Sequence, residues 1–184
     1  ENWFRVETEF DGKVMTIKHT PETDSVYYAY FEPYSWERHL ALLGSVEQSE
    51  QVRVEDLGST LDGRDLNLVI VGNPSAEKKV WIIARQHPGE TMAEWLVEGT
   101  LNALLDLSNP IARAILDKAV LYVVPNMNPD GSVRGNLRTN AAGANLNREW
   151  MTPSVETSPE VYYVKKKIEE AGCDLFLDIH GDAG

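Results

Sequence analysis

The feature that most constrains the fold is a nearly continuous apolar stretch, Lys-Val-Trp-Ile-Ile-Ala-Arg, over residues 79–85. A strand with apolar residues on both faces is typical of a sheet that is covered on both sides. Residues 92–107 then repeat their apolar positions with a helical period, and residues 120–124 are predicted to be a second apolar strand. Strands that alternate with helices predict an α/β fold with a mixed, largely parallel sheet flanked by helices.

The same reasoning places the other elements along the chain. Strands are predicted over residues 14–18, 25–31, 52–57, 66–71 and 174–179, and helices over residues 37–44, 111–116 and 159–171. Gly44 is expected to end the first helix, and Ser158 and Gly172 are expected to cap the last one. Asn-Pro-Asp-Gly over residues 128–131 is predicted to be a turn. Functional groups in such a fold are expected at the carboxyl ends of strands.

Composition excludes several classes of protein. The 184 residues are 42% hydrophobic and 25% charged, which is the balance of a globular domain, and their formal net charge is −12. Because this charge repels nucleic acid and anionic membranes, we expect neither as a partner. The sequence has no apolar run near the roughly 18 residues that a membrane span requires. Its single cysteine, Cys173, excludes an internal disulfide, favours a cytoplasmic location and is expected to be buried.

Histidines suggest where the chemistry lies. His-Pro-Gly-Glu over residues 87–90 follows the long apolar strand, and the Pro-Gly turn would let its imidazole and carboxylate meet one Zn²⁺. A helix-capping or turn role is the alternative, since His19 and Glu22 have the same spacing in a segment interpreted as solvated loop. His180 ends the last predicted strand, and two histidines with one carboxylate leave a coordination position for water. His39 is interpreted as a packing or surface residue.

A long polar loop spans residues 126–150 and contains three arginines, Arg134, Arg138 and Arg148. One interpretation is an ordinary surface connection. The other is an anion-binding loop, because the planar guanidinium fork matches a carboxylate and the rest of the chain is acidic.

Five motifs in this order resemble those of zinc metallocarboxypeptidases, most closely the cytosolic carboxypeptidases and their bacterial relatives. The motifs are His87-Pro88-Gly89-Glu90-Thr91, Asn128-Pro129-Asp130-Gly131, Gly135-Asn136-Leu137-Arg138, Asn147-Arg148 and Asp178-Ile179-His180-Gly181. In that family a small β-sandwich domain precedes the peptidase domain, and the aromatic segment over residues 31–36 is similar to their junction. The resemblance implies that residues 1–33 end the β-sandwich domain and that residues 34–184 are the N-terminal part of the zinc peptidase domain.

The resemblance also implies a role for each matching residue. The ligands of one Zn²⁺ per chain would be His87, Glu90 and His180. Asn147 and Arg148 would hold the terminal carboxylate of a peptide or protein, and Arg138 would polarise the scissile carbonyl and stabilise its oxyanion. The implied reaction is hydrolysis of a C-terminal peptide bond, or of the bond to a side-chain-linked amino acid, by a metal-activated water.

Two departures from the family are visible. Asn145 stands where the family has an Asp that hydrogen-bonds a zinc-bound histidine, and an amide orients the ring without raising its basicity as a carboxylate would. Asp178 is expected to serve His180 in this way, since alternate strand residues face the same side. The family's general-base Glu and substrate-capping Tyr follow the last zinc histidine at a distance. We therefore expect the base beyond residue 184, and expect residues 1–184 alone to be inactive.

Two alternative functions stay open. Zinc-dependent deacylases of the aspartoacylase or succinylglutamate desuccinylase type share the His-x-x-Glu…His pattern and the fold class, although Asn-Pro-Asp-Gly and the aromatic junction favour the peptidase. A non-catalytic zinc- or peptide-binding homologue is compatible with Asn145 and with a base outside these residues. An acidic substrate is suggested only by analogy with the subfamily.

Overall fold

The computed structural model describes residues 3–181, and the chain divides into two compact units, residues 1–32 and 33–184. Within the described residues, every helix is too short or too polar to cross a membrane.

The first unit contains an antiparallel hairpin of β1 (Glu7–Phe10) and β2 (Met15–Lys18). Its first strand was not predicted, because Glu-Thr-Glu-Phe carries little apolar signal. The prediction of a strand over residues 25–31 is wrong: the segment has no strand pairing in the described structure, and residues 25–30 are exposed. Strand propensity reflects packing in a paired sheet, and β2 takes β1 as its partner.

The second unit is an α/β domain built on a five-stranded sheet. Its strands are β3 (Val52–Ser59), β4 (Asp65–Val71), β5 (Lys78–Ala84), β6 (Ala119–Val124) and β7 (Leu175–Ile179). Its helices are α1 (Trp36–Val46), α2 (Thr91–Leu105), α3 (Pro110–Leu116), α4 (Pro129–Arg134) and α5 (Pro159–Ala171), with a short 3-10 helix at Leu146–Arg148.

The sheet has the strand order β3-β4-β6-β5-β7. β4 is antiparallel to both β3 and β6, whereas β5 is parallel to both β6 and β7. The predicted α/β class with a mixed sheet flanked by helices is confirmed.

Both faces of the sheet are buried, as the apolar stretch in β5 predicted. Along β5, Ile82 and Ala84 join a core with residues of α1 and α2, while Trp81 and Ile83 join a second core with residues of α5. All four side chains are buried. Because consecutive strand residues point to opposite faces, a strand between two helical layers must be apolar throughout.

Two local predictions need correction. Gly44 does not end α1, which continues to Val46. The cost of one helical glycine, about 1 kcal/mol relative to alanine, is outweighed by burial of Val46 in the core beyond it. Asn-Pro-Asp-Gly is the start of α4 and not a free turn. Asn128 caps this helix through its Oδ1, which accepts a hydrogen bond from the Gly131 N–H at 3.0 Å.

The predicted burial of Cys173 is also wrong, since its side chain is exposed. It lies between α5 and β7 and belongs to neither element, so no packed face covers it. Partial desolvation is nevertheless enough to raise the pKa of its thiol. The last predicted helix is confirmed as α5, and Gly172 ends it with a left-handed φ of 84°. Ser158 occupies the N-cap position without a side-chain capping bond.

Candidate metal centre

The sheet brings two strand ends together. β5 and β7 are neighbouring parallel strands, and Ala84 lies opposite Ile179 in their register. His180 directly follows Ile179, and His87 lies three residues after Ala84. Since parallel strands present their carboxyl ends at one edge of the sheet, histidines that are far apart in sequence become neighbours.

His87, Glu90 and His180 form one cluster, in which ligand atoms from all three lie within 4.8 Å of one another. Glu90 Oε1 lies 2.7 Å from Nδ1 of His87, and Glu90 Oε2 lies 2.8 Å from Nδ1 of His180. His87 is buried, whereas Glu90 and His180 are half-buried. The arrangement therefore directs both Nδ1 atoms toward one carboxylate and leaves one side of the cluster accessible.

Asn145 orients the first histidine. Its Oδ1 lies 3.0 Å from Nε2 of His87 and also accepts a hydrogen bond from the backbone N–H of Asn147 at 3.1 Å. A backbone N–H can only donate, so the Asn145 atom in this position is the amide oxygen. His87 therefore donates from Nε2, which leaves the lone pair on Nδ1 for a ligand.

Asp178 lies beside the second histidine, with its Oδ2 2.9 Å from Nε2 of His180. The same oxygen accepts a hydrogen bond from the side chain of Gln86 at 2.7 Å, a contact for which the sequence offered no signal. Burial opposes charging of the His180 ring, but its hydrogen bonds to Asp178 and Glu90 raise its pKa above the ordinary value.

The donor set fits zinc. Two imidazole nitrogens and one carboxylate oxygen match a catalytic zinc site with an open position, and each ring is anchored through its other nitrogen. Within residues 3–181 this is the one such group of three. His19, which shares the sequence spacing, contacts the hydroxyl of Tyr28 at 2.9 Å instead.

The turn between the ligands is held against the long loop. The backbone N–H of Gly89 donates to the carbonyl of Leu137 at 2.9 Å. A Cβ at Gly89 would lie 2.9 Å from that same oxygen, so only glycine permits the approach. This contact fixes the chain next to Arg138, whose side chain is exposed.

Asn147 and Arg148 lie on the short 3-10 helix, which is anchored by the fully buried Leu146. Asn147 Nδ2 lies 3.5 Å from Nε2 of His180, which places this amide at the cluster. Arg148 is exposed and donates from Nη1 to the carbonyl of Asn147 at 2.8 Å. One guanidinium nitrogen is therefore held at the backbone of Asn147, and the exposed side chain can present its other donors to solvent or a ligand.

Arg134, another arginine of the loop over residues 126–150, is paired with a neighbouring carboxylate. It donates to both carboxylate oxygens of Asp62, at 2.8 Å from Nε and 2.6 Å from Nη2. The buried Asp130, on the same helix, accepts from Arg64 and from the hydroxyl of Thr60, both at 2.8 Å. These ion pairs tie α4 to the turn between β3 and β4, so Arg134 has a structural partner and is not an anion receptor.

A buried network of charged side chains, which the sequence did not predict, lies next to the turn over residues 87–90. Arg85 has a left-handed φ of 57° and donates to the carbonyl of Pro88 at 3.0 Å and to Glu94 Oε2 at 2.6 Å. Glu94 also contacts Nδ1 of His39 at 2.7 Å and the amide of Asn126 at 3.2 Å. The one advance signal was a charged residue at the end of a buried strand. Left-handed backbone is costly for arginine, and these contacts hold it in place.

A buried carboxyl group on α5 contacts the middle of the long loop. Glu160 is fully buried and contacts the amide of Asn140, with the nearer oxygen 3.2 Å away. Desolvation raises the pKa of Glu160 to about 7, against a partly opposing hydrogen bond from Asn140. A carboxyl group whose pKa is higher in the folded state destabilises the fold as it ionises.

Glu160→Gln should therefore stabilise the complete protein at pH 8 and leave it nearly unchanged at pH 4.5. The penalty for ionisation begins above the unfolded-state value of 4.5 and is fully present above about 7. At about 1.4 kcal/mol per pKa unit, the gain at pH 8 is on the order of 3 kcal/mol. Denaturant unfolding across this pH range measures it, with the exposed Glu156→Gln as control. A pH-independent difference would contradict the argument.

Family models match two parts of the chain. Residues 40–182 match the family described as zinc carboxypeptidase, and residues 1–31 match the one described as cytosolic carboxypeptidase N-terminal domain. Human cytosolic carboxypeptidase 1 is 34% identical over 189 residues, an alignment that covers 91% of this chain and 15% of the human protein.

Solved structures agree with these matches. A metallo-carboxypeptidase from Burkholderia cenocepacia is 60% identical with a TM-score of 0.97, covering 99% of this chain and 50% of that one. A metallo-carboxypeptidase from Pseudomonas aeruginosa, in complex with (2-guanidinoethylmercapto)succinic acid, is 49% identical with a TM-score of 0.94, covering 100% and 49%. The chain thus spans about half the length of both bacterial proteins. With its fold, its ordered motifs and the match over residues 40–182 in agreement, the chain belongs to the zinc carboxypeptidase family.

Proposed function

We propose that the complete protein is a metallocarboxypeptidase that uses one zinc ion to hydrolyse the C-terminal peptide bond of a peptide or protein. The observation that carries this proposal is the convergence of His87 Nδ1 and His180 Nδ1 on Glu90 at the ends of two parallel strands. When bound by these three residues, zinc would supply Lewis acidity and a water of lowered pKa.

Side chains next to the candidate metal ligands would orient the two histidine rings. Asn145 and Asp178 each accept a hydrogen bond from Nε2 of one histidine, which keeps the Nδ1 lone pairs directed at the metal position. Because the two strands belong to one rigid sheet, this orientation requires little adjustment when substrate binds.

Arg148 and Arg138 are proposed to contact different parts of the substrate. We assign Arg148 and Asn147 to the terminal carboxylate, since the Asn147 amide lies near His180 and the exposed Arg148 guanidinium sits beside it. We assign Arg138 to the scissile carbonyl, because the carbonyl of its neighbour Leu137 accepts a hydrogen bond from Gly89, which lies between two of the candidate metal ligands. The related Pseudomonas aeruginosa protein binds a succinic acid derivative, a carboxylate-bearing ligand, which supports a carboxylate-binding site in this family.

The domain organisation is proposed on the same basis. Residues 1–33 would end an N-terminal domain and residues 34–184 would begin the peptidase domain. The division into units between residues 32 and 33, and the separate family matches over residues 1–31 and 40–182, support this boundary. The relationship to cytosolic carboxypeptidases supports a cytoplasmic location.

A pair of peptides tests the proposed activity on the complete protein. A peptide with a free C-terminal carboxylate should lose its last residue, and the same peptide amidated at its C-terminus should resist. A chelator should stop the reaction, and added zinc should restore it. Equal cleavage of both peptides would exclude a carboxylate anchor. Turnover of N-acyl amino acids alone would indicate a deacylase, and zinc binding without any turnover would indicate a non-catalytic homologue.

A further inference from the structure

Gln86 lies between Asp178, which contacts the candidate metal ligand His180, and the indole ring of Trp150. Its side chain is fully buried. Its Nε2 lies 2.7 Å from Asp178 Oδ2, and its Oε1 lies 2.9 Å from Nε1 of Trp150. The backbone carbonyl of Gln86 accepts a hydrogen bond from the Asn128 side chain at 3.0 Å, which holds the residue from a third direction.

The two side-chain hydrogen bonds of Gln86 can run in one direction only. An indole N–H is a donor and never an acceptor, so the amide oxygen of Gln86 must face Trp150. The amide NH₂ then faces Asp178, and it also can only donate. Gln86 therefore donates to Asp178 Oδ2, and Trp150, two contacts away, fixes which end of the Gln86 amide faces the carboxylate.

This direction continues to the metal ligand. Nε2 of His180 lies 2.9 Å from the same Asp178 oxygen and donates to it, so any proton that zinc displaces from the ring is the one on Nδ1, whose lone pair then faces the metal position. The other Asp178 oxygen, Oδ1, is buried and has no hydrogen-bond partner among the described residues. The carboxylate thus depends on Gln86 and His180 for its hydrogen bonds within the described structure.

The indole itself is fixed to the strand that carries the ligand. The Trp150 ring makes an edge-to-face contact with Phe176, with centroids 5.8 Å apart, and Phe176 lies on β7 two residues before Asp178. Lys165 donates to the backbone carbonyl of Trp150 at 2.9 Å. The bond from Lys165 does not depend on the indole, and Trp150→Phe keeps an aromatic ring at this position while it removes the N–H.

We propose that Gln86 and Trp150 are positioning residues for the zinc ligand His180, acting through Asp178. Trp150 orients the Gln86 amide, Gln86 holds the Asp178 carboxylate in position, and Asp178 accepts from Nε2 of His180, which selects the tautomer that binds metal through Nδ1. This inference rests on the proposed zinc site, and it adds two residues to that site that neither touch the metal position nor belong to the five sequence motifs.

The test is the zinc affinity of the complete protein, measured by competition with a chromogenic chelator. Gln86→Met should weaken binding by about tenfold or more, the range typical of residues that hold metal ligands. Trp150→Phe should weaken it less, because the amide keeps one bond but loses its orientation. The double variant should bind no more weakly than Gln86→Met alone, because Trp150 acts only through Gln86.

Trp95→Phe is the matched control. It makes the same truncation at an indole whose N–H has no partner among the described residues, so zinc affinity should not change. Additive losses in the double variant, or equal losses in Trp95→Phe and Trp150→Phe, would show a general structural effect and overturn the proposal. If Gln86→Met fails to fold, the comparison of Trp150→Phe with Trp95→Phe decides the matter.

His180→Ala separates this inference from the proposed function. If His180→Ala weakens zinc binding strongly while Gln86→Met and Trp150→Phe match wild type, the positioning role is wrong and the zinc site stands. If His180→Ala itself leaves zinc affinity unchanged, the zinc assignment is wrong and the positioning role is overturned with it.

Discussion

Replacing His87 with alanine should reduce the zinc content of the complete protein from about one equivalent to a trace, because two ligands do not retain the metal of a three-ligand site. Carboxypeptidase turnover should fall with it. Metal polarisation of the carbonyl is worth several kcal/mol, so a loss of at least about a thousandfold is expected. Elemental analysis of the purified protein measures the first effect, and peptide hydrolysis measures the second.

His19→Ala is the control for this experiment. His19 and Glu22 repeat the spacing of His87 and Glu90, but His19 contacts Tyr28 and lies outside the metal cluster. Its removal should leave zinc content and turnover unchanged. Equal zinc in wild type and His87→Ala would contradict the ligand assignment.

Arg148→Ala and Arg138→Ala should differ in kind. If Arg148 pairs with the terminal carboxylate, it acts in both the ground state and the transition state, so its loss should mainly raise KM. Charge-assisted hydrogen bonds are worth about 1.5–3 kcal/mol, which predicts a rise of about 10- to 100-fold. If Arg138 stabilises the oxyanion, its loss should lower kcat by about 10²–10³. Steady-state kinetics on one peptide substrate separates the two effects.

Arg134→Ala is a matched control on the same loop. Arg134 is paired with Asp62, so its removal should lower stability and leave both kinetic constants nearly unchanged. Arg148→Ala should also lose most of the discrimination between a free and an amidated C-terminus. A wild-type KM in Arg148→Ala would show that the carboxylate anchor lies elsewhere.

The elements that could be predicted from sequence are those whose signal is local. The continuous apolar run in β5 and the helical period of α2 each report burial within a few residues, and both elements formed as predicted. The strand predicted over residues 25–31 failed because strand formation depends on a partner elsewhere in the chain. Asn128 was misread because the Asn-Pro-Asp-Gly composition of a turn is also that of a capped helix start.

The site divides in the same way. His87, Glu90 and His180 could be predicted as one set because a strand end and a known order of motifs mark them in the sequence, and the structure brings their ligand atoms within 4.8 Å of one another. Gln86 and Trp150 are 64 residues apart, and Arg85 contacts Glu94 on a different element, so these contacts form only in the folded chain. An amide or an indole beside a motif has no distinctive chemistry until its hydrogen-bond partner is known.

The parallel register of β5 and β7 has a consequence for the order of folding. Glu90 and His180 are 90 residues apart, so a metal ion that binds both closes a loop of that length. Closing such a loop in an unfolded chain costs on the order of 4 kcal/mol of entropy, and the sheet provides this closure once β7 has paired with β5. If zinc binds at the proposed site, we therefore expect it to bind late, after the strands have docked, and to slow their separation once bound.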